Sequence, residues 1–129
     1  MSDNSLSKKQ YYLTHEVRSE YLYVLVTASD NDYEIARSYW DEIMQLLDRN
    51  GTKRLLVEKD IRAELSVADE FRIASEIAAG MIRWVKLALC ERHISQENLE
   101  FGELVATNRG LNTRSFSDFL TAKNWLLAS

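Results

Sequence analysis

The stretch from residue 84 to residue 116, WVKLALCERHISQENLEFGELVATNRGLNTRSF, contains the pattern that decides the fold. Residues 84–90 are mostly apolar and of strand length, which predicts an interior strand. Ser95 is a suitable N-cap for the helix that follows, and Asn108-Arg109-Gly110 is a stop signal. Residues 112–116 then form a second short strand. Because a single helix joins the two strands, they are predicted to lie parallel.

The same unit recurs earlier in the chain. Asp30 or Asn31 can cap a helix that Asn50-Gly51 stops, and residues 53–59 form the next strand, which Asp60 ends. A further helix begins at Ser66. Its predicted buried face consists of Val67, Phe71, Ala74, Ile77, Ala78 and Met81.

Three glycines stand at the predicted ends of the helices in these units. Gly51, Gly80 and Gly110 each stand between a helical pattern and the next strand, which predicts three left-handed C-caps. In the helix after residue 95, Gly102 falls on the predicted buried face, which comprises Leu99, Gly102, Val105 and Ala106. A glycine inside a buried helix face indicates close packing.

The two ends of the chain complete the order of elements. Residues 12–17 and 21–27 are rich in Tyr, Val and Leu and predict a hairpin, while Ser117 caps a closing helix. The predicted class is α/β, in the order ββαβαβαβα, with a mixed, mostly parallel sheet covered by four helices. Residues 1–10 are predicted to be a flexible leader, and residues 11–129 a single domain.

Composition excludes several classes of function. A net charge of -4 and a pI near 5.2 disfavour binding to nucleic acid. No apolar run approaches the roughly 20 residues of a membrane span, and the start of the chain lacks the apolar core of a signal peptide. With a single cysteine, Cys90, no internal disulfide can form, so a cytoplasmic location is predicted.

The C-terminal quarter carries a family resemblance. Residues 105–118, VATNRGLNTRSFSD, and residues 122–126, AKNWL, resemble the SpoIIAA-like family, and the order of elements agrees over residues 11–127. That family is similar in fold to STAS domains and to CRAL-TRIO domains. The resemblance implies a STAS-like α/β module that binds a protein partner or, as in the CRAL-TRIO relatives, a lipid-like molecule.

Ser66 is the first candidate site. In STAS regulators a serine at the start of the helix after the third strand is phosphorylated, and Ser66 matches that place, with Leu65 where the family has an acid and Ala68 where it has glycine. The pattern Ser-x-x-Asp also makes Ser66 an N-cap. Ser66, together with Asp60 and Glu64, is therefore a candidate for phosphorylation or partner contact.

Arginines near the last strand form a second candidate. Asn108, Arg109 and Arg114, with Asn112 nearby, place two guanidinium groups where an anion or an acidic protein surface could be held. The alternative is that Arg109 complements the helix dipole and that Arg114 is an exposed polar residue.

Aromatic and apolar residues suggest two further uses. The hairpin tyrosines, at positions 11, 12, 21 and 23, have one set facing the helices and another that faces solvent or a second copy in a homodimer. The candidate lining of an apolar pocket is Phe71, Ile77, Met81, Trp84 and Phe101.

Catalytic and cofactor signals are weak. His15 and His93 belong to no metal or triad spacing, Cys90 reads as a buried inert thiol, and residues 50–53 lack the glycine spacing of a phosphate loop. The sequence therefore predicts no enzyme, cofactor or metal. The leading hypothesis is a non-enzymatic regulatory or scaffold module that binds a protein partner, and the alternative is a carrier of a small apolar ligand. An enzyme is third.

Overall fold

The computed structural model describes residues 10–80 and 85–128, in which strands and helices follow the order ββαβαβαβα. The strands are β1 (Tyr12–Val17), β2 (Leu22–Ala28), β3 (Arg54–Ile61), β4 (Lys86–Glu91) and β5 (Asn112–Phe116). The helices are α1 (Tyr33–Asn50), α2 (Val67–Gly80), α3 (Gln96–Asn108) and α4 (Phe119–Leu127). The predicted order and the α/β class are confirmed. The predicted leader lies outside the described residues except for Gln10, and Met81 and Trp84 also lie outside them.

The five strands form one sheet in the order β1-β2-β3-β4-β5. β1 and β2 are antiparallel, whereas β2, β3, β4 and β5 are parallel to their neighbours. This is the predicted mixed sheet, because a tight connection reverses the chain once and single helices connect the remaining strands. Within the described residues, no helix is long and apolar enough to cross a bilayer.

The two faces of the sheet are covered unequally. The first face packs against α1 and α2 and against the end of α3, with Leu55 and Val57 of β3 at its centre. The second face packs against α4, whose Ala122 and Leu126 meet Leu56 of β3. Because side chains alternate along a strand, Lys59 lies on the same three-helix face as Leu55 and Val57.

Two predicted helix caps were displaced by one or two residues. Asp32, and not Asp30 or Asn31, caps α1, because its carboxylate accepts the N–H of Ile35 at 2.9 Å. Asp118, and not Ser117, caps α4 by accepting the N–H of Thr121 at 2.8 Å. In each case the residue next to the helix supplies the side-chain oxygen.

The third strand is longer than predicted. β3 continues past Asp60 to Ile61, because Ile61 pairs with Ala28 of β2 and buries its side chain.

Glycine caps only two of the three predicted helix ends. Gly51 and Gly110 have φ values of 64° and 93°, as a left-handed cap requires. Gly80 is instead the last helical residue and has no positive φ. It lies against Met44 of α1, where a Cβ would come within 2.9 Å of the methionine Cε. Gly80 therefore serves helix packing and not capping.

The buried face of α2 is also rotated from the predicted one. Ile73, Ala74 and Ile77 are buried, whereas Val67 and Phe71 are exposed. The predicted face of α3 is confirmed, since its buried residues are Leu99, Gly102, Val105 and Ala106.

Candidate functional site

Charged side chains meet inside the three-helix face, at the carboxyl ends of β3 and β4. The Nζ of Lys59, a buried residue, lies 3.1 Å from Oε1 of Glu91 and 3.4 Å from the hydroxyl of Tyr39 on α1. Burial disfavours the ammonium, but the charges of Glu91, Tyr39 and Glu70 raise the pKa of Lys59 above its ordinary value. We call Lys59, Glu70, Glu91 and Tyr39 the buried ionic cluster; Lys59 and Tyr39 are buried, and the two carboxyl groups belong to partly buried residues.

Glu70 enters this cluster from α2. The absence of a side chain at Gly102 on α3 makes room for its carboxylate, since a Cβ at that position would overlap Oε2 of Glu70. Burial raises the pKa of Glu70 to about 7; Lys59 opposes this shift, and Glu91 and Glu64 add to it. The close packing predicted at Gly102 is confirmed, and its partner is a carboxyl group.

A small cavity lies beside the cluster, between α2, α3 and the sheet. It has a volume of about 30 Å³, room for about two water molecules. Trp40 and Thr113 border it, and neither Nε1 of Trp40 nor Oγ1 of Thr113 has a hydrogen-bond partner among the described residues. Its polar lining is Trp40, Lys59, Glu70, Glu91, Glu103, Thr113 and Ser115.

The end of β3 and the loop after it are joined to the segment that follows β4, above the cluster. Nε2 of His93 lies 2.8 Å from Oδ1 of Asp60. Oε1 of Glu64 accepts hydrogen bonds from Ser95 Oγ at 3.1 Å and from Asn98 Nδ2 at 2.7 Å. The predicted candidates Asp60 and Glu64 are thus both tied to the segment between β4 and α3.

Ser66 starts α2 directly after these loops. Its exposed hydroxyl accepts the N–H of Asp69 at 3.1 Å, so the predicted N-cap is confirmed. One turn of helix carries two exposed apolar side chains, since Val67 is 60% exposed and Phe71 is 44% exposed. We call Ser66, Val67 and Phe71 the α2 surface.

The predicted anion site around the arginines is not assembled. The guanidinium of Arg109 lies 5.1 Å from the ring centre of Phe71, in the three-helix layer. Arg114 lies over Phe116, on the face of the sheet that α4 covers. Thr113 and Ser115 alternate with Arg114 and line the cavity on the opposite face, so the two arginines point away from each other. Asn108 and Asn112 are exposed.

The predicted apolar pocket is not formed by the residues that the structure describes. Ile77 belongs to the core and borders the cavity, Phe71 is on the surface and Phe101 is partly buried outside it. A wider groove of about 420 Å³, near the end of α1 and the start of β3, is lined by none of these three. The cavity itself is far below the hundreds of Å³ that a ligand pocket needs.

The hairpin tyrosines divide between core and solvent. Tyr11 packs edge-on against Tyr39, at a centroid distance of 5.9 Å, and Tyr12 is exposed on β1. Tyr21 and Tyr23 belong to the core under α4. His15 is exposed on the outer strand.

Cys90 is buried in the core under α4, as predicted for an inert thiol. Burial and, after it, the carboxylate of Glu58 raise the pKa of its thiol to about 11. In residues 10–80 and 85–128, no three His, Cys, Asp or Glu side chains are grouped as ligands for a metal ion.

The buried ionic cluster is not among the sites predicted from the sequence. Two signals pointed to it: Lys59 falls on the same face of its strand as the apolar Leu55 and Val57, and Gly102 requires a close neighbour. Neither signal names Glu70 as the partner, because nothing local links α2 to α3 at this position.

Comparison with known proteins bears on the fold. No family model matches the chain, and no curated protein is significantly similar to it. Among solved structures, it is similar to an uncharacterized protein of the DUF3478 family with a SpoIIAA-like fold, from Shewanella loihica PV-4. That similarity has a TM-score of 0.52 at 15% identity and covers 98% of each chain. The chain therefore has a SpoIIAA-like fold.

Proposed function

We propose that the chain is a non-enzymatic regulatory or scaffold module that binds a protein partner through the α2 surface. The observation that carries this proposal is the exposure of Val67 and Phe71 on one turn of a capped helix. Exposed apolar and aromatic side chains are typical anchors of protein interfaces.

The anchoring of this turn supports the same function. Glu64 hydrogen-bonds to Ser95 and Asn98, which fixes the loop before α2 against the start of α3. Behind the turn, Glu70 packs on Gly102. A surface held in place before binding loses less conformational entropy when a partner docks, which favours affinity.

Photo-crosslinking in cells tests the proposal. A photoreactive amino acid replaces Val67 or Phe71, and a control replaces Leu120, which is 61% exposed but lies on α4 at the opposite face. We expect a discrete protein adduct from positions 67 and 71 and none from position 120. Equal adducts at all three positions, or none at 67 and 71, would contradict the proposal.

Regulation by phosphorylation at Ser66 is part of the proposal. The exposed hydroxyl at a helix N-terminus is favourable for phosphate, whereas Glu64, Asp69 and Glu70 add repulsion. We expect Ser66→Asp to change the yield of the Val67 adduct. An unchanged yield would contradict regulation by phosphorylation at Ser66, but it would not contradict partner binding through the α2 surface.

We also propose that a second copy pairs with the outer edge of β1, which has no partner strand among the described residues. This outer strand is exposed along almost its whole length, with Tyr12 79% and Val17 66% exposed. Antiparallel pairing of two copies about His15 would place Leu13 opposite Val17 of the second copy, on one face of the sheet. On the other face, Tyr12 would lie opposite Arg18 of the second copy, whose guanidinium packs on Tyr23 and donates to the Tyr21 hydroxyl in its own chain.

A cytoplasmic location remains the proposed compartment, since Cys90 is a free thiol.

A further inference from the structure

The buried ionic cluster holds one ammonium group and two carboxyl groups. Lys59 lies 3.1 Å from Glu91 and is partnered by it. Glu70 brings a second carboxyl to the same site, and His93, the other basic side chain that borders it among the described residues, is paired with Asp60. An uncompensated negative charge in a buried site is costly, so the balance favours a neutral Glu70.

The adjoining cavity has the properties of a water site. It is polar on one side, and its volume of about 30 Å³ suits about two waters. Trp40 and Thr113, which are 4% and 6% exposed, both border this space, and Nε1 of Trp40 and Oγ1 of Thr113 have no hydrogen-bond partner among the described residues. Buried polar groups are nearly always hydrogen-bonded, which points to a bound ligand that supplies the missing bonds.

We propose that this cavity is a binding site for water and a proton: ordered water bonds Trp40 Nε1 and Thr113 Oγ1, and Glu70 is protonated while α2 packs on α3 at Gly102. The ligand class follows from the volume and from the charge balance. Water beside Glu70 also gives the proton a route into the site without global unfolding.

Ionisation of Glu70 would act on the start of α2. Several groups face this carboxyl from the elements packed around it: Lys59 from β3, Glu91 from β4, Tyr39 from α1, Glu103 from α3, Glu64 from the preceding loop and His93 from the segment after β4. Lys59 is already paired with Glu91 and His93 with Asp60, so the ionised carboxylate gains by moving to solvent, and the first turn of α2 moves with it. The α2 surface lies on that turn.

The direction of the pH dependence follows from linkage. The folded pKa of Glu70, about 7, lies above the ordinary value of 4.5, so the closed state holds a proton that the open state releases. Its stabilising effect is complete below about pH 4.5, declines between 4.5 and 7, and is lost above 7.

Hydrogen exchange of the isolated chain tests whether Glu70 is protonated while α2 packs on α3. After correction for intrinsic rates, we expect protection at residues 67–74 to fall roughly tenfold per pH unit from about pH 5 to about pH 7 and then to level off. Glu70→Gln should remove this dependence. Asp69→Asn, a neutralised carboxylate on the same turn, should keep it. A flat wild-type profile, or the same loss in both variants, would overturn the proposal.

An isosteric substitution and NMR spectroscopy test the water. If water bonds Thr113, Thr113→Val raises the unfolding equilibrium constant about fivefold, whereas the exposed-strand control Thr14→Val changes it little. If the cavity is dry, Thr113→Val removes an unpaired hydroxyl and stabilises the protein, which would overturn the proposal. The indole N–H of Trp40, assigned by the loss of its signal in Trp40→Phe, should show a long-lived water contact.

These measurements need no partner, so their outcome is independent of the proposed protein binding. If the protection of α2 does not depend on pH but position 67 gives a discrete adduct, the proton site is contradicted and the partner surface is supported. If the protection depends on pH as expected but positions 67 and 71 give no adduct, the partner surface is contradicted and the proton site is supported.

Discussion

Lys59 and Glu91 form a buried ion pair, and removal of one partner leaves the other charge without compensation. We expect Lys59→Met to lower the free energy of unfolding by about 3 to 5 kcal/mol, measured by urea denaturation. The double variant Lys59→Met with Glu91→Leu should recover much of this loss at about pH 5, where Glu70 is protonated and no charge remains stranded beside Tyr39.

A surface ion pair provides the matched control. Arg54 lies 3.8 Å from Glu20 near the start of β3, and both side chains are substantially exposed. Arg54→Met should cost under about 1 kcal/mol. Equal costs at Lys59 and Arg54 would show that the pair at Lys59 is hydrated and not buried.

Gly102 gives a second prediction at the residue scale. Whether Gly102→Ala raises or lowers the free energy of unfolding depends on Glu70. In the wild type, Gly102→Ala forces the Glu70 carboxylate out of its position and should destabilise the protein. In a Glu70→Ala background the same change should stabilise α3 by about 0.5 to 1 kcal/mol through helix propensity. Urea denaturation of the four proteins measures this coupling. The same sign in both backgrounds would show that the carboxylate does not occupy this place.

At the scale of elements, the sequence and the structure differ on which residue caps α4: Ser117 was predicted, and Asp118 is the cap. Asp118 accepts hydrogen bonds from Thr121, first from the backbone N–H and then from the hydroxyl, and these lower its pKa. We therefore expect Asp118→Ala to lower Tm by about 3 to 5 °C at neutral pH, while Ser117→Ala leaves Tm nearly unchanged.

The depressed pKa also fixes the pH window of this cap. Its contribution is present above the ordinary aspartate value and is lost as the pH falls through the folded pKa. The Tm difference between Asp118→Ala and the wild type should therefore shrink in acid. A difference that persists under strong acid would mean that the carboxylate is not the cap.

Element boundaries could be predicted only where the signal is local. The ends of α1 and α3 followed from Gly51 and Gly110, because a left-handed residue after a helix is a requirement of the backbone itself. The extra residues of β3 could not be read from the sequence, since Ile61 is a strand residue only through its pairing with β2. The rotated face of α2 has the same origin, because α3 and the sheet decide which residues are covered.

At the scale of the whole molecule, self-association is expected from the outer edge of β1, which no described strand covers. We expect sedimentation velocity to show a concentration-dependent dimer that Val17→Lys weakens, because a charge on an outer strand disfavours edge pairing. Leu104→Lys is the control, since Leu104 is 57% exposed on α3, away from β1. A monomer at all concentrations, or equal weakening by both variants, would contradict pairing through β1.

The sequence by itself determined the order of elements, the parallel strands and the buried face of α3. These features depend on periodicity and on stop signals within a few residues, which act before distant parts of the chain meet. Tertiary structure alone decided the candidate site, because Lys59, Glu70, Glu91 and Gly102 lie on four different elements. A charge becomes buried, paired or protonated only according to what packs against it, and the local sequence does not specify that neighbour.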